Sequence, residues 1–413
     1  MNRNILIGGA VLSVAIIGAF LWFFLLRPNL NNNDSVSQGT LEVGSSNTTG
    51  VSSNTPSINE TEPLNIPEPS KASIFRIAEG PVTSATFVQT FNPTTTLARY
   101  VLQENGHVLD QPIDIPGSLA RAVSNTTIPA TARALWGAKG ASLLMQYNDD
   151  TAIKTVSLIF PQATSSRSNS VLPVKIQFLP NNILDLAVSP DGKQIVYLLE
   201  GASGSEGYTA NIDGSAAKKL FSFGLSELLV SWPTQNTILL GTKSNQLISG
   251  AIFSVDSKSG GIVPLIYGNG LTAIADRAFN AVVYQTASAG AASRSTYLHD
   301  LKKGTDVSLS FDPIPEKCTW SNTTTTTLYC AVSVQFVGAS YLDLWHRGLA
   351  SAADSLVSYV LLNNSDAEVV ATPGSSDGGE ASDILELAVS PDDKYLLFIK
   401  KGDRSLWGVR LTQ

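Results

Sequence analysis

The sequence predicts an all-β fold, a seven-bladed β-propeller with six blades as the alternative, from three observations. Turn motifs recur along the last four fifths of the chain, strand-like segments fit between them, and Gly, Ser, Thr and β-branched residues are abundant. The expected organisation is a short cytoplasmic end at 1–4, a transmembrane helix at 5–26, a disordered stalk at 27–73 and the propeller at 74–413.

The first element is an apolar run without a charged residue at 5–26. As a helix it would be about 33 Å long, enough to cross a hydrocarbon core of about 30 Å. A cleaved signal peptide would have a shorter apolar region and a small-residue cleavage site. This run instead ends in bulky side chains followed by Arg27. We therefore expect an uncleaved single-pass anchor, which makes the membrane one partner of the protein.

The second element, residues 27–73, is rich in Asn, Ser, Thr, Gly and Pro. Such a segment cannot bury enough apolar surface to offset the entropy lost on ordering, so we expect a disordered stalk. As a random coil it would reach about 35–40 Å. Stalks of this kind commonly separate a surface domain from its membrane. We therefore expect a cell-membrane protein with its N-terminus in the cytoplasm and its propeller outside.

The propeller prediction rests on two closely matching segments, 186–197 and 387–398. Each is typical of a strand, a tight turn and a second strand, because Pro fixes φ and Asp and Gly tolerate the turn conformations. The turn residues are Ser189, Pro190, Asp191, Gly192, Ser390, Pro391 and Asp392.

Five weaker copies of this motif extend the pattern. They are anchored, at the position of Ser189, on Asn92, Gly137, Trp232, Asp276 and Ser321. Successive anchors are 43 to 52 residues apart, except for the last interval of 69. A four-stranded propeller blade needs about 40–45 residues. The regular spacing therefore indicates seven repeats.

The remaining strands are expected where a blade requires them. The third repeat should have strands at 183–189, 194–200, 207–212 and 219–223; the fourth at 228–232, 237–242, 250–255 and 262–267; the fifth at 271–275, 281–285, 296–300 and 307–311. The last repeat is one strand short at its end. The segment 73–78 has the composition of a fourth strand, and we expect it to close the ring by pairing with the C-terminal blade.

These motifs, together with 211–214 and 218–220 downstream of the first of them, resemble the repeats of TolB-like, WD-type propellers of bacterial envelopes. The anchor and stalk also resemble those of single-pass propeller proteins of candidate-phylum bacteria. The resemblance covers about 74–413 and implies a propeller that serves as an interaction platform. It brings no catalytic residues to this chain.

The composition argues against several kinds of chemistry. A net charge of −7 with scattered Lys and Arg argues against nucleic-acid binding. The three histidines, His107, His299 and His346, lie in no metal-binding array, and no serine-hydrolase elbow has an Asp and His to complete it. We therefore expect no catalytic residue, no metal and no cofactor.

Cys318 and Cys330 are the two cysteines of the chain. If Ser321 anchors the sixth repeat, they face each other across its first two strands, at a separation that permits a disulfide. The alternative is a pair of buried free thiols. An oxidising exterior favours the disulfide.

The interval of 69 residues before Ser390 holds about 20–25 residues more than a blade requires. The extra block is centred on 336–350, between the expected second and third strands of the sixth repeat, within 335–356. It contains Tyr341, Trp345, His346 and Arg347. Tyr, Trp and Arg are enriched in binding hot spots, so this insertion is a candidate partner-binding site. A self-packed lid over the channel mouth is the other interpretation, and both remain open.

These observations favour a membrane-anchored, extracytoplasmic, non-enzymatic platform that binds a protein or glycan partner in the cell envelope. The alternative is a propeller enzyme, a lyase or hydrolase of envelope glycans, with its site at the channel mouth. That alternative needs acid and base residues converging from several blades. The sequence pattern reveals none.

Overall fold

The structure is a computed structural model that describes residues 74–91, 94–115, 117–161, 173–245, 247–287, 293–334, 340–361, 367–374 and 381–411. The expected cytoplasmic end, anchor and stalk lie outside these residues. Within them, no helix is long and apolar enough to cross a membrane. All described residues belong to one compact unit, Ile66–Gln413.

The described chain consists mainly of short antiparallel strands. The first thirteen are β1 (Ile74–Ala78), β2 (Val82–Phe91), β3 (Thr94–Leu102), β4 (Val108–Pro112), β5 (Arg121–Ser124), β6 (Arg133–Trp136), β7 (Ser142–Asn148), β8 (Ile153–Ile159), β9 (Lys175–Phe178), β10 (Asp185–Val188), β11 (Gln194–Gly201), β12 (Gly204–Asn211) and β13 (Lys218–Phe223).

The second half of the chain continues in the same way. Its strands are β14 (Leu228–Thr234), β15 (Thr237–Thr242), β16 (Ser249–Asp256), β17 (Ile262–Ala275), β18 (Ala281–Ala287), β19 (Arg294–Asp300), β20 (Thr305–Ser308), β21 (Cys318–Trp320), β22 (Thr327–Ser333), β23 (Asp354–Val360), β24 (Glu368–Ala371), β25 (Ile384–Val389), β26 (Tyr395–Lys400) and β27 (Leu406–Arg410). A short helix, α1 (Tyr341–His346), lies between β22 and β23.

Antiparallel pairing arranges these strands into repeated four-stranded sheets. The sheets are β2-β3-β4-β5, β6-β7-β8-β9, β10-β11-β12-β13 and β21-β22-β23-β24, with a further sheet of order β1-β27-β26-β25. The strands β14 to β20 form one seven-stranded sheet. Apart from β1, the strands of each sheet follow one another in chain order as a meander, which is what short strands joined by tight turns produce.

The seven-stranded sheet differs from the sequence prediction at one point. The sequence predicts two separate strands, at 262–267 and 271–275, whereas the structure has the single strand β17. Its first part pairs with β16 and its second part with β18. Asn269 is the register partner of both Ser249 and Ala287, so strand pairing reaches into the segment that the sequence suggests is a loop.

The apolar core lies between the faces of neighbouring sheets. Seven apolar clusters of this kind are found among the described residues. Six of them join two sheets that follow each other in the chain or are the first and last sheets, and one joins the two halves of the seven-stranded sheet. Trp232 and Trp320 lie in two of these clusters. One cluster joins Val82 and Phe87 of β2 to Leu397 of β26. Burial between sheets thus supplies the main hydrophobic stabilisation.

The N-terminal strand β1 completes the sheet that contains the end of the chain. Ile74 lies opposite Val409, and Phe75 lies opposite Gly408, in an antiparallel pair with β27. Phe75 and Ile77 pack against the cluster between the first and last sheets. Both ends of the described chain therefore meet in one sheet.

The Ser-Pro-Asp turns are held by the side chain of their serine. The Ser189 hydroxyl donates to the Asp191 carboxylate at 2.7 Å and accepts from the Gln194 amide at 2.9 Å. The hydrogen bond from Ser189 lowers the pKa of Asp191. Ser390 makes the same pair of bonds, to Asp392 at 2.7 Å and from the Tyr395 amide at 3.0 Å. Two weaker copies of the turn motif are held by similar hydrogen bonds: the Asp276 carboxylate accepts from the Ala281 amide, and the Ser321 hydroxyl accepts from the Thr324 amide.

The fourth residue of each of these turns contacts the preceding sheet in the chain. Gly192 has φ +68°, and a Cβ there would lie 2.0 Å from the Ala138 nitrogen. Asp393 has φ 54°, and its carboxylate accepts from the Asn322 amide at 2.8 Å. The turn motif therefore joins neighbouring repeats as well as reversing the chain.

We expect Gly192→Ala to destabilise the protein by about 2–4 kcal/mol, because left-handed strain adds to a steric clash. Gly304→Ala is the matched control, since Gly304 has φ +64° with nothing within 4 Å of the added Cβ. It should cost only about 1–2 kcal/mol. Thermal and urea unfolding of the two variants gives the comparison. Equal losses of stability would contradict the docking role.

Candidate binding pocket

A pocket of about 320 Å³ opens on one face of the molecule. On this side, here called the crossover face, the chain passes from the outermost strand of one sheet to the innermost strand of the next. Connections from second to third strands lie on the same side, because successive strands are antiparallel. The pocket is lined by Ser293, Arg294, Asp312, Ile314, Lys317, Ala331, Val332, Ser333, Val334, Tyr341 and Asp354.

The pocket wall contains buried charges. Lys317, in the 3₁₀ turn before β21, donates to Asp354 at the start of β23 at 2.7 Å, and also to Asp383 just before β25. No more than 2% of any of these three side chains is exposed. Lys401 pairs with Asp383 at 3.3 Å. Two cations thus compensate two carboxylates, which is what burial of ionised groups requires.

Asp354 has one carboxylate oxygen engaged and one free. Its Oδ2 accepts from Lys317 and from the Ile384 amide, the latter at 2.8 Å. Its Oδ1 has no hydrogen-bond partner among the described residues. Burial raises the pKa of Asp354 to about 6, although Lys317 opposes the rise. The group is therefore mainly ionised at neutral pH and presents an acceptor to the pocket.

Arg294, the first residue of β19, provides a donor on the opposite wall. Its Nη2 pairs with Asp312 Oδ2 at 3.3 Å, and only 8% of its side chain is exposed. Gln285 orients Asp312 by donating to its other oxygen at 2.8 Å. Arg294 Nη1 has no hydrogen-bond partner in the described part of the chain. It can therefore donate to a bound molecule.

The insertion packs onto the propeller through helix α1. The sequence suggests that this insertion is either a binding site or a lid. Tyr341 and Leu342 of α1 are buried against Ile314 and Ala352. Trp345 donates from Nε1 to Asp383 at 2.8 Å. Its ring lies between two ammonium groups, 5.2 Å from Lys317 and 4.9 Å from Lys401. These contacts favour the lid interpretation for α1.

The remaining insertion residues differ in exposure. His346 contacts Glu316, whose carboxylate raises the pKa of His346 although burial lowers it. Arg347 is exposed. Tyr341 lines the pocket, and its hydroxyl lies near the Asp383 carboxylate but makes no hydrogen bond of ordinary geometry within the described ranges. Burial and the nearby carboxylates of Asp383 and Asp354 raise the pKa of Tyr341, so this hydroxyl stays protonated.

We expect Trp345→Ala to lower stability by about 2–4 kcal/mol, because it removes a half-buried ring and the indole donor to Asp383. Arg347→Ala is the matched control two residues away and should change stability by less than about 0.5 kcal/mol. Thermal unfolding separates the two. If both variants unfolded at the same temperature as the wild type, α1 would not be a packed lid.

Cys318 and Cys330 lie directly beneath the pocket. They are register partners on β21 and β22, with their Cα atoms 4.1 Å apart, and their sulfur atoms are bonded. Lys317 precedes the first cysteine and Ala331 follows the second, so the disulfide joins two strands that carry pocket residues.

We expect both cysteines to resist alkylation in denaturant without reductant and to react after reduction. Mass spectrometry of protein purified without reductant measures this directly. Free thiols in the unreduced sample would contradict the disulfide.

The pocket was not predicted from the sequence. Of the sequence candidates, only Tyr341 lines it, whereas the Ser189 and Ser390 turns lie on the opposite face. Sequence reasoning missed Arg294, Lys317, Asp354 and Asp383, which come from three sheets and lie in or beside the pocket wall. One sequence signal could have indicated these residues: Lys317 and Asp383 stand immediately before β21 and β25, the innermost strands of their sheets. No group of three or more His, Cys, Asp or Glu residues in the described ranges could hold a metal ion.

No protein-family model and no curated protein matches this sequence. Solved structures of similar fold include oligogalacturonate lyase in complex with manganese, with a TM-score of 0.53 and 10% identity over 83% of this chain and 91% of that one. Tricorn protease gives a TM-score of 0.51 and 10% identity, over 84% of this chain and 35% of that one. TolB from Acinetobacter baumannii aligns with a TM-score of 0.40 and 10% identity, over 80% of this chain and 63% of that one.

Two of these proteins are enzymes by name, so the comparisons give no support to the expectation of a non-enzymatic protein. All three contain β-propeller folds. At 10% identity, the likeness to the first two concerns the fold alone. Together with the repeated four-stranded sheets, it identifies the fold of this chain as a β-propeller.

Proposed function

We propose that the protein is a membrane-anchored, extracytoplasmic β-propeller of the TolB-like kind that binds a protein or glycan partner in the cell envelope through the pocket. The propeller would have seven blades, with β1 as the fourth strand of the last. The seven apolar clusters between sheets and the division of β17 between two neighbours support this number.

The proposed location rests on two features. The uncharged apolar run at 5–26 has the length of a transmembrane helix. The disulfide between Cys318 and Cys330 is of the kind that persists in oxidising compartments outside the cytoplasm.

One observation carries the binding function: three residues of the pocket lining hold buried polar atoms that have no hydrogen-bond partner among the described residues. They are Arg294 Nη1, Tyr341 Oη and Asp354 Oδ1. A buried polar atom left unpaired costs about 1–3 kcal/mol. A ligand that supplies their hydrogen bonds would recover this cost and gain affinity. The pocket volume falls near the lower end of the range for small-ligand sites, about 300–1,000 Å³.

The test is crosslinking in native membranes followed by purification of the tagged full chain. Val334→Trp should fill the pocket mouth, since Val334 lines the pocket and is 57% exposed. Val307→Trp is the matched control, at a 48% exposed valine of the outer strand β20, outside the pocket lining. We expect the wild type and Val307→Trp to retain a crosslinked partner that Val334→Trp loses. Equal capture by all three would remove the pocket as the binding site.

A second function, acid–base catalysis on an envelope glycan, is favoured by one specific feature. Asp354 combines a free oxygen in the pocket with a pKa raised to about 6, close to the working pH of a general base. The Tyr341 hydroxyl, which stays protonated, is a candidate hydrogen-bond donor to the substrate.

Incubation with envelope glycans and an assay for new reducing ends tests this second function. Asp354→Asn should abolish turnover, and activity should fall as the pH drops below about 6, because the base becomes protonated. Turnover that survives Asp354→Asn would contradict this role.

A further inference from the structure

The pocket combines three kinds of unsatisfied group on its walls. Arg294 Nη1 can only donate a hydrogen bond, Asp354 Oδ1 when ionised can only accept one, and the Tyr341 hydroxyl can do both. At most 8% of the Arg294 side chain and 1% of the Asp354 side chain is exposed. These groups cannot turn outward to bulk solvent, and they belong to residues that line the pocket, so a molecule bound there is the candidate partner.

The charges around the pocket are already compensated. Arg294 is paired with Asp312, Lys317 with Asp354, and Asp383 with both Lys317 and Lys401. No cation in this set lacks a carboxylate, and no carboxylate lacks a cation. A ligand with a net charge would lose its hydration without meeting an uncompensated opposite charge. The electrostatics therefore favour a neutral ligand.

The remaining lining is partly apolar, with Ser293 and Ser333 adding polar surface. Ile314, Ala331, Val332 and Val334 contribute hydrocarbon surface between the polar groups. A ligand that fits must have C–H faces for these side chains and groups that both donate and accept hydrogen bonds. Sugar hydroxyls can accept from Arg294, donate to Asp354 and pair with Tyr341, and the sugar ring presents C–H groups between them.

We propose that the pocket binds one or two neutral sugar residues of a glycan. This inference rests on the proposed binding function and narrows it from a protein or glycan partner to an uncharged carbohydrate. The pocket volume of about 320 Å³ limits the bound part of the glycan to a short unit of one or two sugars.

The experiment is a titration of the full chain in detergent by calorimetry and ligand-observed NMR. The probes are glucose, galactose, mannose, N-acetylglucosamine and their disaccharides. Each is compared with a charged relative, such as galacturonate for galactose and glucosamine for N-acetylglucosamine. We expect at least one neutral probe to bind, and its acidic or basic relative to bind at least tenfold more weakly.

Tyr341→Phe should weaken binding of that neutral probe about tenfold, because the ring is kept while the pocket hydroxyl is lost. Tyr267→Phe is the matched control, since Tyr267 is 66% exposed on β17, outside the pocket lining. It should leave binding unchanged.

Equal or tighter binding of the charged relatives would overturn the proposal, as would binding of free amino acids but of no sugar. Failure of every sugar probe, while Val334→Trp still abolishes partner capture, would also reject it and leave the wider binding function standing. Partner capture that is unaffected by Val334→Trp would instead reject the wider function.

Discussion

Deletion of Ile74–Ala78 should destabilise the protein by about 3–6 kcal/mol, whereas deletion of five residues of the predicted stalk, 60–64, should leave stability unchanged. β1 supplies backbone hydrogen bonds to β27, and Ile74, Phe75 and Ile77 pack on two apolar clusters. Each apolar side chain that is buried contributes about 1.5–3 kcal/mol, less for those only partly buried. The deletion also leaves β27 as an open sheet edge, which invites aggregation.

Thermal unfolding with light scattering measures both effects of this deletion. The two deletions remove the same number of residues, so chain length does not confound the comparison. Coincident melting curves would show that β1 is dispensable and that the last sheet is stable with three strands.

Lys317→Met should have an effect of similar size, a loss of about 3–5 kcal/mol at neutral pH. Met occupies nearly the volume of Lys but, among the described residues, leaves buried Asp354 without an ion-pair partner and buried Asp383 paired with Lys401. Removing one partner of a buried ion pair costs more than the pair itself contributes.

The pH dependence of this variant provides a diagnostic. Without Lys317, the folded-state pKa of Asp354 should rise above its present value of about 6, well above that in the unfolded chain. The folded state then binds more protons, so the stability of Lys317→Met should increase as the pH falls from 7 towards 5. Adding Asp354→Asn should recover part of the loss at pH 7. A small loss that is independent of pH would contradict the buried charge network.

The fold was largely predictable because its signals are local. The expected strands 194–200 and 219–223 correspond to β11 (Gln194–Gly201) and β13 (Lys218–Phe223). The turn before β11 depends on hydrogen bonds within six residues, from Ser189 to Gln194. Such short-range patterns can be read directly from the order of residues.

The pocket could not be predicted because its charges become buried only through long-range packing. Lys317 is 37 residues from Asp354 and 66 from Asp383. In the sequence, each resembles an ordinary surface charge at the start of a strand. The helix α1 covers them with Trp345, and an aromatic-rich insertion has the same composition whether it serves as a lid or as a binding surface.

The pairing of β1 with β27 also determines how the domain would respond to a pulling force. Ile74 lies opposite Val409, so the N-terminal end of β1 lies on the side of the sheet away from the crossover face. If the chain is held at that end while a molecule is held in the pocket, tension runs along the axis of β1. The hydrogen bonds to β27 are then loaded together, in shear, and do not open one after another. This geometry resists mechanical extraction of β1 from the last sheet.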